Sequence, residues 1–393
     1  MKKEVVIVSA ARTPIGSMNG ALASLSATEL GALSIEKAIQ KAGITGADVQ
    51  EVIMGNVIQA NTGQAPARQA ALAAGVHVGA TCTTVNKVCA SGMKAIIMGV
   101  QSILLGDKDI VVAGGMESMT NAPYMLAAAR NGYRYGNAEL IDAIVRDALQ
   151  DPYTKEMMGN SGDRCARKFN FSREEQDAYA IESYNRAAIA YKNGWFADEI
   201  FPVEIKSKGD VTVVSEDEEY KKLKPEKVAS LKPAFSKDGT VTAVNASKIN
   251  DGAAAVVLMS REKADALGIK PLAFVLGYGD AEQAPDDFTT SPAVAIPIAL
   301  KKAGLSINQI DYVEINEAFS NVAMANIKLL NLDHARVNVF GGAVSLGHPV
   351  GASGARIICT LLSVLKYKGG KYGAAGICNG GGGASALVIE KCE

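Results

Sequence analysis

Cys89-Ala-Ser-Gly-Met-Lys94 and Gly351-Ala-Ser-Gly-Ala-Arg356 are one short phrase written twice, 262 positions apart. At the same offset, residues 111–114 fall on 373–376. One position less aligns Lys37-Ala-Ile-Gln-Lys-Ala-Gly-Ile-Thr45 with Ile298-Ala-Leu-Lys-Lys-Ala-Gly-Leu-Ser306, and residues 48–54 with 309–315. Four matches in one order imply a duplication, with halves at about 1–118 and 271–393. The first copy of the phrase is preceded by Thr81, Thr83, Thr84 and Val85, β-branched residues suited to a strand, and followed by the helix-forming apolar run 93–105. Cys89 therefore falls at a strand-to-helix junction. Continuous apolar runs at 5–8, 52–55 and 110–115 read as buried strands. Between them the sequence predicts helices over 28–41, closed by Gly43, and over 66–74, opened by Pro66 and ended by Gly75. Strands alternating with helices give an α/β layered fold.

Between the halves the composition changes. Residues 119–248 hold most of the tyrosines and arginines, charged stretches such as Glu216-Asp-Glu-Glu219, and a helical segment around 174–193. This reads as an inserted loop domain, of the kind that supplies a lid, a substrate clamp or an oligomer contact. Residues 249–270 return the chain to the first half. Lys221, Lys222, Lys224 and Lys227 in the insertion either face an anionic ligand or form a solvated surface.

The 393 residues are 48% hydrophobic and 21% charged, as in a compact α/β protein of two or three domains. A net charge of −1 provides no electrostatic footprint for nucleic acid. No continuous apolar run reaches the roughly 18 residues of a membrane span. The six cysteines (82, 89, 165, 359, 378, 392) are scattered, with no C-x-x-C pair and no histidine at ligand spacing, which argues against zinc and against a disulfide framework. With strand signal starting at Glu4, no leader is expected, and a cytoplasmic compartment is the default expectation, a trimmed organellar (mitochondrial) form being the alternative.

Chemistry-bearing residues gather at a few places. At a helix N-terminus, backbone N–H groups and the dipole are expected to favour the Cys89 thiolate, and Ala90, Ser91 and Gly92 leave room for a substrate. A buried cysteine acting as a small hydrophobe is the plain alternative. His348 is one of three histidines, in Gly341-Gly-Ala-Val-Ser-Leu-Gly-His-Pro-Val-Gly-Ala-Ser-Gly354, and has the right pKa range to deprotonate a thiol. Cys378 lies in Gly376-Ile-Cys-Asn-Gly-Gly-Gly-Gly383, whose glycines can turn several N–H groups toward one point. Asn316, in Asn316-Glu-Ala-Phe319, follows a short strand that can hold its amide rigidly.

Together, N-x-V-C-x-S-G, N-E-A-F, G-G-x-x-x-x-G-H-P-x-G-x-S-G and C-x-G-G-G-G, in this order, resemble the thiolase family from end to end. The likeness is greatest to the acetoacetyl-CoA type, and within it to the mitochondrial potassium-dependent enzymes. The resemblance implies a duplicated five-layered αβαβα core and reversible, ping-pong Claisen condensation of two acetyl-CoA to acetoacetyl-CoA and CoA. By that resemblance Cys89 is the acylated nucleophile, His348 takes its proton and Cys378 is the second acid/base. Asn316, through a water, and His348 would hold the enolate, and the N–H groups of Cys89 and Gly380 the tetrahedral intermediate. Coenzyme A contacts carry over to Ser247, Lys222, Leu223, Lys224 and Lys227, with Met158 and Phe319 lining the acyl pocket beside Ala246 and Tyr184. A potassium site would comprise Tyr184 with carbonyls of Ala243, Val244, Ala246 and Val344. The family implies a homotetramer assembled through residues 123–136.

Two places bear on selectivity, of which the first departs from the family pattern. Met157 stands where relatives commonly carry histidine, making the pocket wall more apolar, and Asp286-Asp287-Phe288 resembles types that accept a 2-methyl branch. A broad 3-ketoacyl-CoA thiolase would use the same residues with a longer pocket, and a non-catalytic acyl-CoA-binding relative could dispense with the cysteine pair. Two reactive cysteines in one site could also join as a disulfide on oxidation.

Overall fold

The computed structural model describes residues 3–207 and 209–392. Nine strands build its main sheet: β1 (Val5–Arg12), β2 (Glu51–Gly55), β3 (Thr81–Val85), β4 (Ile110–Ser118), β5 (Asn250–Ser260), β6 (Ala273–Glu282), β7 (Tyr312–Ile315), β8 (Tyr372–Asn379) and β9 (Gly383–Lys391). Their order is β3-β2-β4-β5-β1-β6-β9-β8-β7, with the two-residue strand Gly16–Ser17 added beside β5. Read outward from the middle, the second half repeats the first: β6 answers β1, β9 answers β5, β8 answers β4 and β7 answers β2. In each half the strand nearest the middle runs antiparallel to its neighbour, and β2–β4 and β7–β8 are parallel. The halves join where Val6 and Ile7 pair with Phe274 and Ala273.

Apolar periodicity explains the layers. Helices α1 (Ala27–Ala42) and α2 (Pro66–Ala73) bury Leu30, Ile35, Ala67 and Ala70 against Val6, Val52, Met54 and Val112 on the outer face of the first half. In α6 (Pro292–Ala303), Ala295, Ile296 and Ala299 cover the second half's outer face at Ile315, Ala374 and Val388, and α7 (Ser320–Leu329) follows β7. Between the halves lie α3 (Ser91–Leu105) and α9 (Val350–Lys368), whose Ile96, Ile97, Val100, Ile357 and Ile358 pack among Val111, Val256, Ile377 and Leu387. The five layers are helix, sheet, helix, sheet, helix, and the two sheets are hydrogen-bonded at one edge into a single run.

By length and composition, Val88–Leu105 and Val350–Lys368 are apolar enough to cross a membrane, although neither is a continuous apolar run. Their apolar character is used instead in this middle layer. The central helices cross where neither carries a side chain. A Cβ on Gly92 would lie 2.9 Å from the Ala355 nitrogen, and one on Gly354 would lie 2.3 Å from the Met93 nitrogen. That close approach brings the N-termini of α3 and α9 side by side.

Local expectations held unevenly. Helix α1 is closed by Gly43 at φ +70° and opened by a Ser26–Glu29 capping box. Helix α2 ends at Ala73 and is capped by Ala74, one residue before the expected glycine. The insertion carries α4 (Met158–Phe169) and α5 (Arg173–Lys192), the latter opened by a Ser172–Glu175 capping box.

Candidate active site

Cys89 sits on a constrained turn between β3 and α3. Val88, immediately before it, has φ +46°, a conformation that a β-branched residue adopts at a cost of about 1–3 kcal/mol. Side chains on either side hold the turn. Asn86 Oδ1 accepts the Val88 N–H at 2.9 Å, and Ser91 Oγ accepts the Lys87 N–H at 2.8 Å while donating to the Val88 carbonyl at 2.6 Å. Lys87 and Lys94 fasten the turn to the second half through Asp280, at 3.0 and 2.7 Å. Despite burial, the bonds from Lys94, Ser385 and Lys87 hold Asp280 down to about 2.

The thiolate expectation is corrected here. Cys89 is half-buried, and loss of water around the sulfur pushes its thiol up to about 11. The N–H groups of Gly380 and of Cys89 itself favour the thiolate and oppose this rise, but buried Glu117 adds to it. Helix-end donors are present, and desolvation outweighs them.

His348 explains how such a thiol is used. Its ring is buried, and burial, reinforced by Arg356, pulls it down to about 3, so it is neutral at physiological pH. Ser353 Oγ spends its single proton on the Pro349 carbonyl at 3.0 Å and lies 2.6 Å from His348 Nδ1. The hydroxyl oxygen therefore accepts from Nδ1–H, which leaves Nε2 as the basic nitrogen. Nε2 has no partner among the described residues, and neither does either polar atom of the buried Asn316 amide. Buried polar groups left this way cost free energy unless something from outside bonds them. Ser353→Ala removes the tautomer lock, and kcat is expected to fall about tenfold with KM for the acyl-CoA little changed, measured by steady-state kinetics.

With a thiol near 11 and an imidazole near 3, the free enzyme holds a neutral pair. Inactivation by iodoacetamide should rise about tenfold per pH unit between pH 7 and 9 without levelling off. An early plateau near pH 7 would instead mean an ion pair. Since the imidazole stays neutral down to about 3, kcat/KM should show no acid limb near 6.5.

Cys378 is the penultimate residue of β8, buried against Phe319, Phe288, Met158 and Phe235. Burial, and then Cys89, push its thiol far above the ordinary value, so the two sulfurs sense each other. Both are free thiols in the structure. Met158 also faces Gly380, where an added Cβ would lie 3.3 Å from its sulfur. Met157, half-buried, precedes α4, and Asp286 and Asp287 pair with Arg164 and Lys168 at 2.7 and 2.8 Å, leaving Phe288 as the pocket's contact from that stretch.

Ser247 lies on a strap against the pocket wall. Its N–H donates to the Ala318 carbonyl at 3.0 Å, and Ala246 bridges to Phe319. Leu223 is half-buried beside Tyr184, Val244 and Val344. Lys222, Lys224 and Lys227 are exposed. Lys222 already bonds Glu219 at 3.2 Å and the Ser17 hydroxyl, while Lys224 and Lys227 make no ion pair among the described residues.

At the expected potassium site, Tyr184, Val244 and Val344 share one buried cluster, Ala246 lies beside it and Ala243 is exposed. An ion does not fit this arrangement. The Lys248 ammonium donates to the Ala246 carbonyl and, at 3.3 Å, to the Val344 carbonyl, 5.8 Å from the centre of the Tyr184 ring. Burial pulls Lys248 down to about 8, which leaves it charged at neutrality.

Four positioning groups escaped sequence reading. Glu117 accepts N–H groups from Val57 (2.9 Å), Ile58 (3.2 Å) and Gly351 (2.9 Å), tying β4 to the start of α9, and burial raises it to about 7. Glu317 accepts from Tyr179 (3.0 Å), Ser183 (2.8 Å), Asn338 (2.9 Å) and the Val344 N–H (3.1 Å). Asn250 accepts the His348 N–H at 2.9 Å, and Ser353 fixes the imidazole.

Family models for the thiolase N-terminal domain and the thiolase C-terminal domain match residues 5–262 and 269–391. The chain belongs to the thiolase family. Its full length is 56% identical to a probable acetyl-CoA acetyltransferase of Dictyostelium discoideum over 390 residues, 99% of this chain and 94% of the relative. An acetyl-CoA acetyltransferase of Schizosaccharomyces pombe is 55% identical, with 99% of each chain covered. Among solved structures, the Acat5 thiolase from Ascaris suum in complex with coenzyme A superposes with a TM-score of 0.95 at 49% identity, covering 99% of this thiolase and 100% of that chain.

Proposed function

We propose that this thiolase is an acetyl-CoA C-acetyltransferase, interconverting two acetyl-CoA with acetoacetyl-CoA and coenzyme A. The observation that carries the reading is the pairing of Cys89, beneath the Cys89 and Gly380 N–H groups, with a second buried thiol at Cys378 and a bare His348 Nε2. In the cleavage direction, His348 Nε2 takes the Cys89 proton and the thiolate attacks the 3-keto carbon. The two N–H groups hold the resulting oxyanion. The carbon–carbon bond breaks, and Cys378 gives its proton to the departing enolate, which Asn316 and His348 stabilise. Coenzyme A then loses its thiol proton to Cys378 and attacks acetyl-Cys89. His348 returns its proton to the Cys89 sulfur as it leaves. Condensation is the same sequence reversed, and two neutral thiols at rest balance its protons.

The aromatic walls around Cys378 favour a short acyl group over the broad 3-ketoacyl-CoA alternative, which would cleave a C16 substrate faster than C4. Ser247 and Leu223, with Lys224 and Lys227, are the groups we assign to coenzyme A. The exposed Tyr124, Leu126, Tyr133 and Tyr135 support assembly as a homotetramer through this loop, since large apolar side chains clustered at a surface mark association sites. Scattered free thiols support a cytoplasmic setting. The deciding experiment incubates the enzyme with acetyl-CoA and locates the acetyl group by peptide mass spectrometry. Acetyl on Cys89, released by added coenzyme A, is the expected result. Label elsewhere, or none, would reopen the non-catalytic reading.

A further inference from the structure

We propose that Lys248 is a cation built into the chain, which ties the coenzyme A strap to the His348 loop and makes a potassium ion unnecessary. Its ammonium bonds the Ala246 carbonyl on one side and the Val344 carbonyl, at 3.3 Å, on the other. Ala246 precedes Ser247 on the strap. Val344 lies in the short helix α8 (Ala343–Leu346), four residues before His348. The third element at the ammonium is α5, through the Tyr184 ring. One charged group thus joins the substrate strap and α5, both in the inserted domain, to the base-bearing loop.

The surroundings call for a positive charge. Glu317 and Glu219 are both buried and both act on Lys248 electrostatically. Glu317 takes the Val344 N–H at 3.1 Å, so that one residue is pinned to an anion through its N–H and to a cation through its carbonyl. Carbonyl oxygens converging beside carboxylates form a setting for a monovalent cation, and an ammonium meets that demand with directional hydrogen bonds. Being tethered, it needs no ion in solution and is present at any salt composition. Lys248 is a positioning residue: it touches neither sulfur nor base, and acts by holding Ser247 and His348 in register.

The inference rests on coenzyme A binding along the Ser247 strap, and its test is separable from the acetyl-transfer reading. Wild-type and Lys248→Ala proteins are compared in potassium chloride and in tetramethylammonium chloride at equal ionic strength. Three readouts are the thermal midpoint, the KM for coenzyme A against kcat, and the anomalous signal of rubidium in soaked crystals. In the wild type, exchanging the cation should change KM less than about twofold and leave no rubidium peak at Val344. In Lys248→Ala without potassium, KM should rise about tenfold, equivalent to about 1.4 kcal/mol, with a smaller loss in kcat. Potassium should restore both KM and the thermal midpoint, and rubidium should appear between Ala246 and Val344. Potassium activation of the wild type, or a wild-type rubidium peak there, would overturn the proposal, as would a variant with unchanged KM in tetramethylammonium. The wild-type measurements decide the matter even if the variant fails to fold, and the rubidium and thermal readouts are independent of which acyl-CoA is turned over.

Discussion

Cys378→Ala should take acetyl from acetyl-CoA onto Cys89 and stop there. Acetylation needs a nucleophile, a base and an oxyanion hole, which Cys89, His348 and the Gly380 N–H supply without the second thiol. The departing coenzyme A thiolate is stable enough to leave unaided, since thiols ionise near pH 8.5. A methyl C–H is a far weaker acid, and condensation fails without a base beside it. The expected signature is a burst of one coenzyme A per chain at a rate within about tenfold of wild type, followed by turnover reduced about 10²–10⁴-fold. Rapid-quench measurement of coenzyme A release and mass spectrometry of the Cys89 peptide would show it. Unimpaired condensation would remove Cys378 from the mechanism, and absence of the burst would mean that the two thiols act as one unit.

Arg12→Met should cost about 3–5 kcal/mol of stability, read from urea denaturation. The Arg12 guanidinium, 1% exposed, bonds Glu199 at 2.6 Å and Asp217 through two nitrogens at 2.8 and 3.0 Å. Burial works against its charge, yet the two carboxylates hold it well above its ordinary pKa. Glu199 also accepts the Ser363 hydroxyl of α9 at 2.7 Å, and Asp217 accepts the Ile15 N–H at 2.7 Å. Methionine fills much of the same volume but leaves two buried carboxylates without their cation. Adding Glu199→Gln and Asp217→Asn should recover part of the loss, because neutral amides need no counter-charge. A loss below about 1 kcal/mol for the single change would mean that water reaches the carboxylates.

What sequence could reveal divides along physical lines. Strands, the nucleophile turn and the duplication are written in local patterns, and the structure places each near its expected position. Cys378 and His348 stand out because rare side chains lie among glycines, and Cys89 and Asn316 because they closely follow strands. Glu117 and Glu317 do not stand out, because their meaning lies in the N–H groups they accept from distant segments. Gly351 lies far along the chain from Glu117, and no local pattern announces that contact. The thiolate expectation failed for a related reason. A helix start is visible in sequence, whereas the burial that overrides it depends on which loops close over the sulfur. Lys248 was illegible as a structural cation, since Val344 and Tyr184, which complete its surroundings, lie on other elements.

The crossing of the central helices has a history built into it. Gly92 meets Ala355, and Gly354 meets Met93, which are the same two contacts exchanged under the 262-residue offset. Reciprocal contacts of this kind are the mark of an isologous interface between two identical subunits. The middle layer therefore reads as a fossil dimer: an ancestor of half this length, meeting its twin about a two-fold axis through those glycines. Such an ancestor would have presented two equivalent reaction centres. Fusion into one polypeptide released the copies from identity, so that one side could keep a cysteine where the other keeps Gly351, and one asymmetric centre replaced two symmetric ones.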